Sequence, residues 1–170
     1  MKISGIVSED FVNYKYPSTF ISMGTCDWKC CKEQNIDISI CQNSELAKAP
    51  EKDFSDLEII NSHLLNPITS AIVIGGLEPF TYFDDLYKFI CGFRKKCSDE
   101  IVIYTGYNPE EIIDELYKLV EFNDIIIKFG RYIPGQEKHK DKVLGVNLAS
   151  DNQFAIKLNK EFLKQLKEFE

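Results

Sequence analysis

The sequence lacks the features that mark membrane, secreted and nucleic-acid-binding proteins. None of its apolar stretches approaches the roughly 20 residues that a membrane-spanning helix requires, and the apolar run in residues 1–7 is far shorter than a secretory signal. Lys and Arg number 20 against 27 Asp and Glu, for a net charge of −7, so the basic surface that nucleic acid requires is not expected. We therefore expect a cytoplasmic protein with no nucleic-acid or membrane partner.

Internal repeats and low-complexity tracts are also missing. The 170 residues are 44% hydrophobic and 28% charged, which is the composition of a globular protein that can bury a core. We expect one domain covering residues 1–170.

The cysteines are concentrated in one short segment of the sequence. Four of the six cysteines fall within residues 25–41, namely Cys26, Cys30, Cys31 and Cys41. In a reducing compartment, thiols gathered this closely usually bind metal rather than form disulfides. We interpret the loop as the cradle of an iron–sulfur cluster, which cysteine thiolates hold. Two alternatives remain. One is a zinc site, although the usual paired two-residue spacings are missing, and the other is a set of buried free thiols.

Three ligands from the loop would suit a catalytic cluster better than four. With three thiolates, one iron stays open to a ligand from outside the protein, as in a catalytic metal site. Adjacent cysteine side chains diverge and rarely bind the same cluster. We therefore predict Cys26, Cys41 and one of Cys30 or Cys31 as the ligands.

The hydropathy pattern predicts strands that alternate with helices. Strands are predicted at residues 2–7, 19–23, 71–74, 101–104, 124–128, 143–144 and 154–156. Helices are predicted at residues 57–66, 83–96, 109–120 and 159–169, with a helical turn at 44–48 and a polar loop at 134–142. This order is typical of an α/β protein with a mainly parallel sheet. The chain is too short for eight strand–helix units, so we expect an open, partial (β/α) barrel.

Several positions in the predicted helices carry specific expectations. Asp56 is the expected cap of the first helix, whose apolar positions at helical spacing are Leu57, Ile60, Leu64 and Leu65. The second helix is expected to face the core with Leu86, Phe89, Ile90 and Phe93, and the last helix with Leu163, Leu166 and Phe169. Cys91 is expected in the core, and Cys97 is expected to have no role.

Loops rich in glycine and polar residues follow four of the predicted strands. They are the cysteine loop, the glycine pair at 75–76, residues 105–107 and residues 130–131. Ligands of parallel α/β sheets collect at the carboxyl ends of the strands. We therefore expect these loops to form one site. Lys128 and Arg131 would either contact a ligand or partner there or be solvated charges.

The cysteine loop resembles the motif of the radical S-adenosylmethionine superfamily, C-x-x-x-C-x-x-C. Residues 26–30, CDWKC, match its first half. Glu33 stands where the third cysteine is expected, and residues 41–43, CQN, resemble the end of the motif. The simplest interpretation is an insertion over residues 31–40 that lengthens the second gap and keeps three ligands. Trp28, between the ligands, would pack near the cluster or anchor the loop.

Four further segments resemble the same superfamily, in the family's order, and most closely its small glycyl-radical activases. Residues 75–79, GGLEP, resemble its glycine-glycine-acidic-proline motif with one inserted residue, Leu77. Residues 103–107, IYTGY, resemble the segment after the next strand. Residues 124–132 resemble the strand after that, although lysine replaces the aspartate of many relatives at position 128, and residues 149–153 resemble a Ser-Ser-Asn-Gln stretch.

The resemblance implies a radical S-adenosylmethionine enzyme with a 4Fe-4S cluster. Such an enzyme cleaves S-adenosylmethionine reductively to methionine and a 5′-deoxyadenosyl radical. Activases use this radical to install a glycyl radical on a partner, here most plausibly the large subunit of anaerobic ribonucleotide reductase, with flavodoxin or ferredoxin as electron donor. The cofactor-binding residues implied are Gly75, Gly76, Glu78, Thr105, Lys128 and Asn152.

Two other functions remain open from the sequence. One is a radical enzyme that acts on a small molecule, like the deazaguanine-forming relatives that also carry expanded cysteine motifs. The other is a non-catalytic interaction domain held together by zinc.

Overall fold

The computed structural model describes residues 1–168. The strands are β1 (Lys2–Asp10), β2 (Ser18–Met23), β3 (Lys52–Asp53), β4 (Ala71–Gly76), β5 (Glu100–Tyr104), β6 (Ile125–Phe129), β7 (His139–Lys140), β8 (Asn147–Leu148) and β9 (Phe154–Lys157). The helices are α1 (Lys29–Gln34), α2 (Asp56–Leu65), α3 (Phe83–Arg94), α4 (Ile113–Leu119) and α5 (Lys160–Glu168). Short 3₁₀ turns occupy Ile38–Ile40, Ser44–Lys48, Pro79–Tyr82 and Pro109–Ile112. No helix in residues 1–168 is both long and apolar enough to cross a membrane.

Seven strands form one sheet in the order β3-β1-β2-β4-β5-β6-β9. The four central strands β2, β4, β5 and β6 are parallel to one another, and β1 and β9 flank them antiparallel. The predicted α/β class and mainly parallel sheet are therefore confirmed. Within the described chain the sheet is open, because β3 and β9 lie at its opposite ends.

The helices α2 to α5 all pack on one face of the sheet. The larger apolar core joins their buried residues to one side of the strands, including Ile72, Ile74 and Ile103. The opposite side, with Val73 and Val102, is covered instead by Tyr14 and by the segment around Leu144 and Leu148. Successive strand residues point to opposite faces, so continuous β-branched runs suit a sheet that is covered on both sides.

The amino terminus of α2 differs from the prediction. The cap is Ser55, whose hydroxyl accepts a hydrogen bond of 3.5 Å from the Glu58 amide, and Asp56 is the first helical residue. The difference is one residue, and both residue types cap helices well.

The buried face of α2 also differs from its expected apolar positions. Ile59, Ile60 and His63 are the buried residues, whereas the side chains of Leu57, Leu64 and Leu65 are exposed. His63 is buried because Thr19 and Asp99 bind both of its ring nitrogens. This polar anchor turns the helix so that three leucines face outward.

The predicted strand at residues 143–144 is wrong. The amides of Val143 and Leu144 each donate a hydrogen bond of 2.8 Å to the carboxylate of Asp141, which closes a turn in place of a strand. The expected loop before it contains the short strand β7, paired with β8.

The other predicted elements are found within a few residues of their expected limits. The inward stripe of α3 is confirmed at Leu86, Phe89, Ile90 and Phe93. The helix expected over 109–120 begins as a 3₁₀ turn before α4. Leu163 is buried in α5, and Phe169 lies outside the described residues. Helix α1 was not predicted.

Candidate functional site

A cavity of about 300 Å³ opens at the carboxyl ends of the parallel strands. It borders on all four cysteines of the loop, Cys26, Cys30, Cys31 and Cys41. The remaining lining includes backbone and side chains from the loops after β4, β5 and β6, among them Gly76, Leu77, Glu78, Thr105, Gly106, Lys128 and Gly130. The four loops that the sequence indicated therefore meet at one place. This is where open α/β sheets usually bind ligands.

The first cysteines are held by a tight turn into α1. Trp28 adopts a left-handed backbone conformation (φ 59°) immediately before the helix, and its amide donates a hydrogen bond of 3.3 Å to Cys26 Sγ. Its side chain packs against the apolar core, so it anchors the loop. Helix α1 then carries Cys30 and Cys31 to the cavity. Amide hydrogen bonds to cysteine sulfur are a means of tuning iron–sulfur potentials.

The inserted segment returns Cys41 to the same cavity. Asn35 ends α1 in a left-handed conformation (φ 52°). The Asp37 carboxylate then accepts a hydrogen bond of 2.8 Å from the Ser39 amide. The following 3₁₀ turn closes when the Cys41 amide donates to the carbonyl of Ile38 at 3.0 Å. Because the insertion folds into a helix end and a turn, it does not carry Cys41 away from the other thiols.

Gly106 provides the space that Cys30 occupies. A Cβ at position 106 would stand 2.7 Å from Cys30 Sγ, which is closer than van der Waals contact allows. The loop after β5 therefore needs glycine here for its lack of a side chain.

Burial keeps the thiols neutral in the absence of metal. It raises the pKa of Cys26 to about 12, against the opposing effect of the Trp28 amide. It also raises the pKa of Cys30 to about 11; Glu78 adds to that rise, and Arg131 and Lys128 oppose it. Binding of metal to these thiols would release their protons, as expected when cysteines act as ligands.

The sulfurs of the loop are not grouped as closely as a single zinc ion requires. Around one zinc ion, with Zn–S about 2.3 Å, tetrahedral thiolates lie about 3.8 Å apart. In the described part of the chain, no three cysteine sulfurs of this loop lie within 4.8 Å of one another. A four-iron cluster instead offers a separate iron to each thiolate. The cysteines, the amide directed at Cys26 Sγ and the space beside Gly106 together fit such a group.

Glu78 is a buried carboxylate on the wall of the cavity. It accepts hydrogen bonds from Thr105 Oγ1 (2.8 Å) and from the amides of Phe80 (3.1 Å) and Gly106 (2.9 Å). Burial raises its pKa to about 7, although these donors and Lys128 act in the opposite direction. The inserted Leu77 is buried in the core. The insertion therefore adds an apolar contact and leaves Glu78 beside the cavity.

Lys128 is the buried cation of the cavity. Its ammonium donates to the carbonyls of Gly130 at 2.9 Å and Thr105 at 3.4 Å. Burial lowers its pKa to about 8, and Glu78 partly offsets that effect. The alternative of a solvated charge is wrong for this residue, because its side chain is buried.

Arg131 is buried too, but its guanidinium serves an ion-pair network. It donates two hydrogen bonds, of 2.6 and 2.8 Å, to the two carboxylate oxygens of Glu111, and one of 2.9 Å to Glu33. Lys29 pairs with Glu111 as well. The network joins α1 to the loops after β5 and β6. The sequence indicated Arg131 but not its partners, since nothing in the local pattern relates positions 33, 111 and 131.

The remaining predicted cofactor residues lie close to the cavity, but not all of them line it. Gly76 (φ 80°) and Thr105 line it. Gly75 packs closely against Tyr104: a Cβ added at position 75 would stand 3.0 Å from Tyr104 Cβ. Asn152 donates a hydrogen bond of 2.9 Å to the carbonyl of Arg131. Neither Gly75 nor Asn152 is among the lining residues, which do include Asn147 and Gln153.

An open α/β sheet with grouped cysteines at its carboxyl edge defines a candidate iron–sulfur protein. A family model described as a 4Fe-4S single cluster domain matches residues 19–156. The chain belongs to this family and is an iron–sulfur protein. Neither a search of curated proteins nor a search of solved structures gives a match.

Proposed function

We propose that this protein is a radical S-adenosylmethionine enzyme of the glycyl-radical activase kind. The observation that carries the proposal is the convergence of the cysteine loop with Gly76, Glu78, Thr105 and Lys128 on one cavity. A cluster site alone would need only the thiols. The additional buried charges of opposite sign are what a zwitterionic amino-acid group requires for recognition.

The chain's own residues divide the binding tasks. Cys26, Cys30 and Cys41 hold the cluster, with Cys31 as the alternative to Cys30. Glu78 accepts from the ammonium group of S-adenosylmethionine, since a carboxylate bound by three donors can still accept a further hydrogen bond. Lys128 faces the same cavity and attracts the carboxylate group of the ligand. Within this pocket the residues orient the sulfonium and exclude water, which limits side reactions of a radical.

The chemistry itself comes from the cofactors. A cluster held by Cys26, Cys41 and Cys30 or Cys31 would supply an electron, received from flavodoxin or ferredoxin, for reductive cleavage of S-adenosylmethionine bound at Glu78 and Lys128, and the radical chemistry so supplied would act on a glycine of the partner.

A protein partner is favoured by the rim of the cavity. Val12 lines the cavity and is 74% exposed, and its neighbour Phe11 is 62% exposed. Exposed apolar groups beside a site are typical of a surface that another protein covers. We propose the large subunit of anaerobic ribonucleotide reductase as the partner, and the cytoplasm as the compartment where both are found.

Anaerobic reconstitution followed by reduction tests the proposal. The wild-type protein should bind about four irons and release 5′-deoxyadenosine from S-adenosylmethionine after dithionite is added. With the partner present, a glycyl radical should be detected by electron paramagnetic resonance. Zinc without iron and sulfide, and no 5′-deoxyadenosine, would instead support the zinc-bound interaction domain. If 5′-deoxyadenosine forms but no glycyl radical does, a small-molecule substrate is favoured.

Single cysteine variants test the ligand set. Cys41→Ala should lose the cluster and its visible absorbance, whereas Cys91→Ala on α3 should keep both. A full cluster in Cys41→Ala would show that the third ligand lies elsewhere. Comparison of Cys30→Ala with Cys31→Ala then decides which of the two is the ligand.

A further inference from the structure

A second group of metal-ligating side chains lies at the end of the sheet opposite to the cysteine loop. It consists of His63 on α2, and Cys97 and Asp99 in the turn between α3 and β5. The ligand atoms of these three residues all lie within 4.8 Å of one another. We propose that they form a zinc site that is separate from the cluster and goes beyond the proposed function.

The distance between the nitrogen and the oxygen fits tetrahedral zinc, and Cys97 Sγ lies within 4.8 Å of both atoms. With Zn–N and Zn–O of about 2.0–2.1 Å, two such ligands lie about 3.3 Å apart. His63 Nε2 and Asp99 Oδ2 are separated by 3.2 Å. One sulfur, one nitrogen and one oxygen are a ligand set that zinc accepts.

His63 is oriented as a metal ligand from its other nitrogen. Its Nδ1 lies 2.9 Å from the hydroxyl of Thr19 and 3.4 Å from that of Thr69. In the metal-free protein Nε2–H donates to the acceptor-only Asp99 carboxylate; zinc would take the place of that proton, with Nδ1–H then donating to a hydroxyl. Ligating histidines usually have such a partner on the second nitrogen.

The other two ligands sit in a turn that is already rigid. Arg94 donates hydrogen bonds to the carbonyls of Asp99 (2.7 Å) and Cys97 (3.3 Å), and the Asp99 amide donates to Cys97 Sγ at 3.4 Å. Zinc with one thiolate and one carboxylate is neutral overall, so the nearby guanidinium does not face an uncompensated dication.

The location separates this site from the cluster. Thr19 lies near the start of β2 and Asp99 just before β5, so the group lies at the amino ends of the parallel strands. His63 is buried, but the Asp99 side chain is 37% exposed, which leaves one direction open for water as a fourth ligand. Bound zinc would join α2 to the α3–β5 turn and stabilise that end of the sheet.

Zinc binding by the cluster-loaded protein tests the proposal. The loaded protein, with its loop cysteines occupied by iron, is mixed anaerobically with zinc sulfate and then passed through a desalting column. We expect one zinc per chain with no loss of iron. X-ray absorption at the zinc edge should show one sulfur, with the remaining ligands nitrogen and oxygen and with imidazole scattering.

Variants locate the zinc ion. Cys97→Ala should weaken zinc binding at least about tenfold with unchanged iron content, and Asp99→Asn should weaken it as well. Cys91→Ala, a half-buried cysteine on α3, should bind zinc like the wild type. Absence of zinc from the wild type, an all-sulfur ligand set, or undiminished binding by Cys97→Ala would overturn the proposal. If a variant fails to fold, the X-ray absorption spectrum of the wild-type protein still shows whether zinc has the proposed ligands.

Discussion

The guanidinium of Arg131 donates a hydrogen bond of 2.9 Å to the carboxylate of Glu33. This ion pair joins α1 to the loop after β6, and Cys41 borders the same cavity as the other loop cysteines. If the loop is the radical S-adenosylmethionine motif that we propose, Glu33 stands at the position of its third cysteine. A structural contact would then take the place of a ligand, and Cys41 would supply the thiol.

We predict that Gly106→Ala impairs cluster assembly. The new Cβ would stand 2.7 Å from Cys30 Sγ, so the thiol must move away from the cavity. Iron content and visible absorbance after anaerobic reconstitution measure the effect. Gly5→Ala is the matched control, because nothing lies within 4 Å of a Cβ at that position. Equal iron content in the two variants would contradict the placement of Cys30.

We predict that Glu78→Gln keeps the cluster but binds S-adenosylmethionine at least about tenfold more weakly. The amide loses the negative charge, and its NH₂ faces donors that now lack an acceptor. Isothermal titration of the cluster-loaded protein measures the affinity. Thr105→Ser keeps the hydroxyl that Glu78 accepts from and should bind like the wild type. An unchanged affinity in Glu78→Gln would exclude Glu78 from ligand recognition.

We predict that Arg131→Met destabilises the protein by about 1–3 kcal/mol. The change removes the cation that Glu33 and Glu111 share, leaves Glu111 with only Lys29 and the Asn108 amide, and removes one of the ties between α1 and the sheet. Urea unfolding gives the free energy. Lys48→Met removes a pair with Glu45 in which both side chains are mostly exposed, and should change the stability by less than about 0.5 kcal/mol. Similar losses in the two variants would mean that the network around Arg131 contributes no more to stability than an exposed ion pair.

The same network predicts a dependence of stability on pH. The hydrogen bond from Arg131, with smaller contributions from Lys29 and the Asn108 amide, lowers the pKa of Glu111 to about 2. Because the folded-state pKa lies below the ordinary value of 4.5, the unfolded chain takes up the proton first as the pH falls. The stabilisation is complete above about pH 4.5 and is lost between there and about pH 2.

Unfolding free energies of the metal-free protein at several pH values check this dependence. Acid removes iron–sulfur clusters, so the metal-free chain is the appropriate sample. Glu111→Gln should show a shallower loss of stability below pH 4.5 than the wild type. Glu45→Gln, which changes a carboxylate that is 80% exposed, should follow the wild-type curve. A Glu111→Gln curve parallel to the wild type would contradict the assignment.

Local pattern was a good guide to the strands and a weaker one to helix faces. Runs such as residues 72–74 are β-branched throughout, and such a run is typical of a strand that is covered on both sides. Leucines at helical spacing misled in α2, where the burial of His63 decided the orientation. The turn at residues 143–144 depends on the Asp141 carboxylate, whose reach cannot be read from hydropathy.

The sequence by itself determined that thiols are concentrated in one loop and that glycine-rich loops follow the parallel strands. Those features are local, because spacing and residue type express them directly. Only the tertiary structure decided that Cys41 returns to the cavity and that Glu33 pairs with Arg131. It also decided that His63, Cys97 and Asp99 meet at the opposite end of the sheet. These contacts join residues that are distant in the chain, and the packing of helices on the sheet alone sets the distances between them.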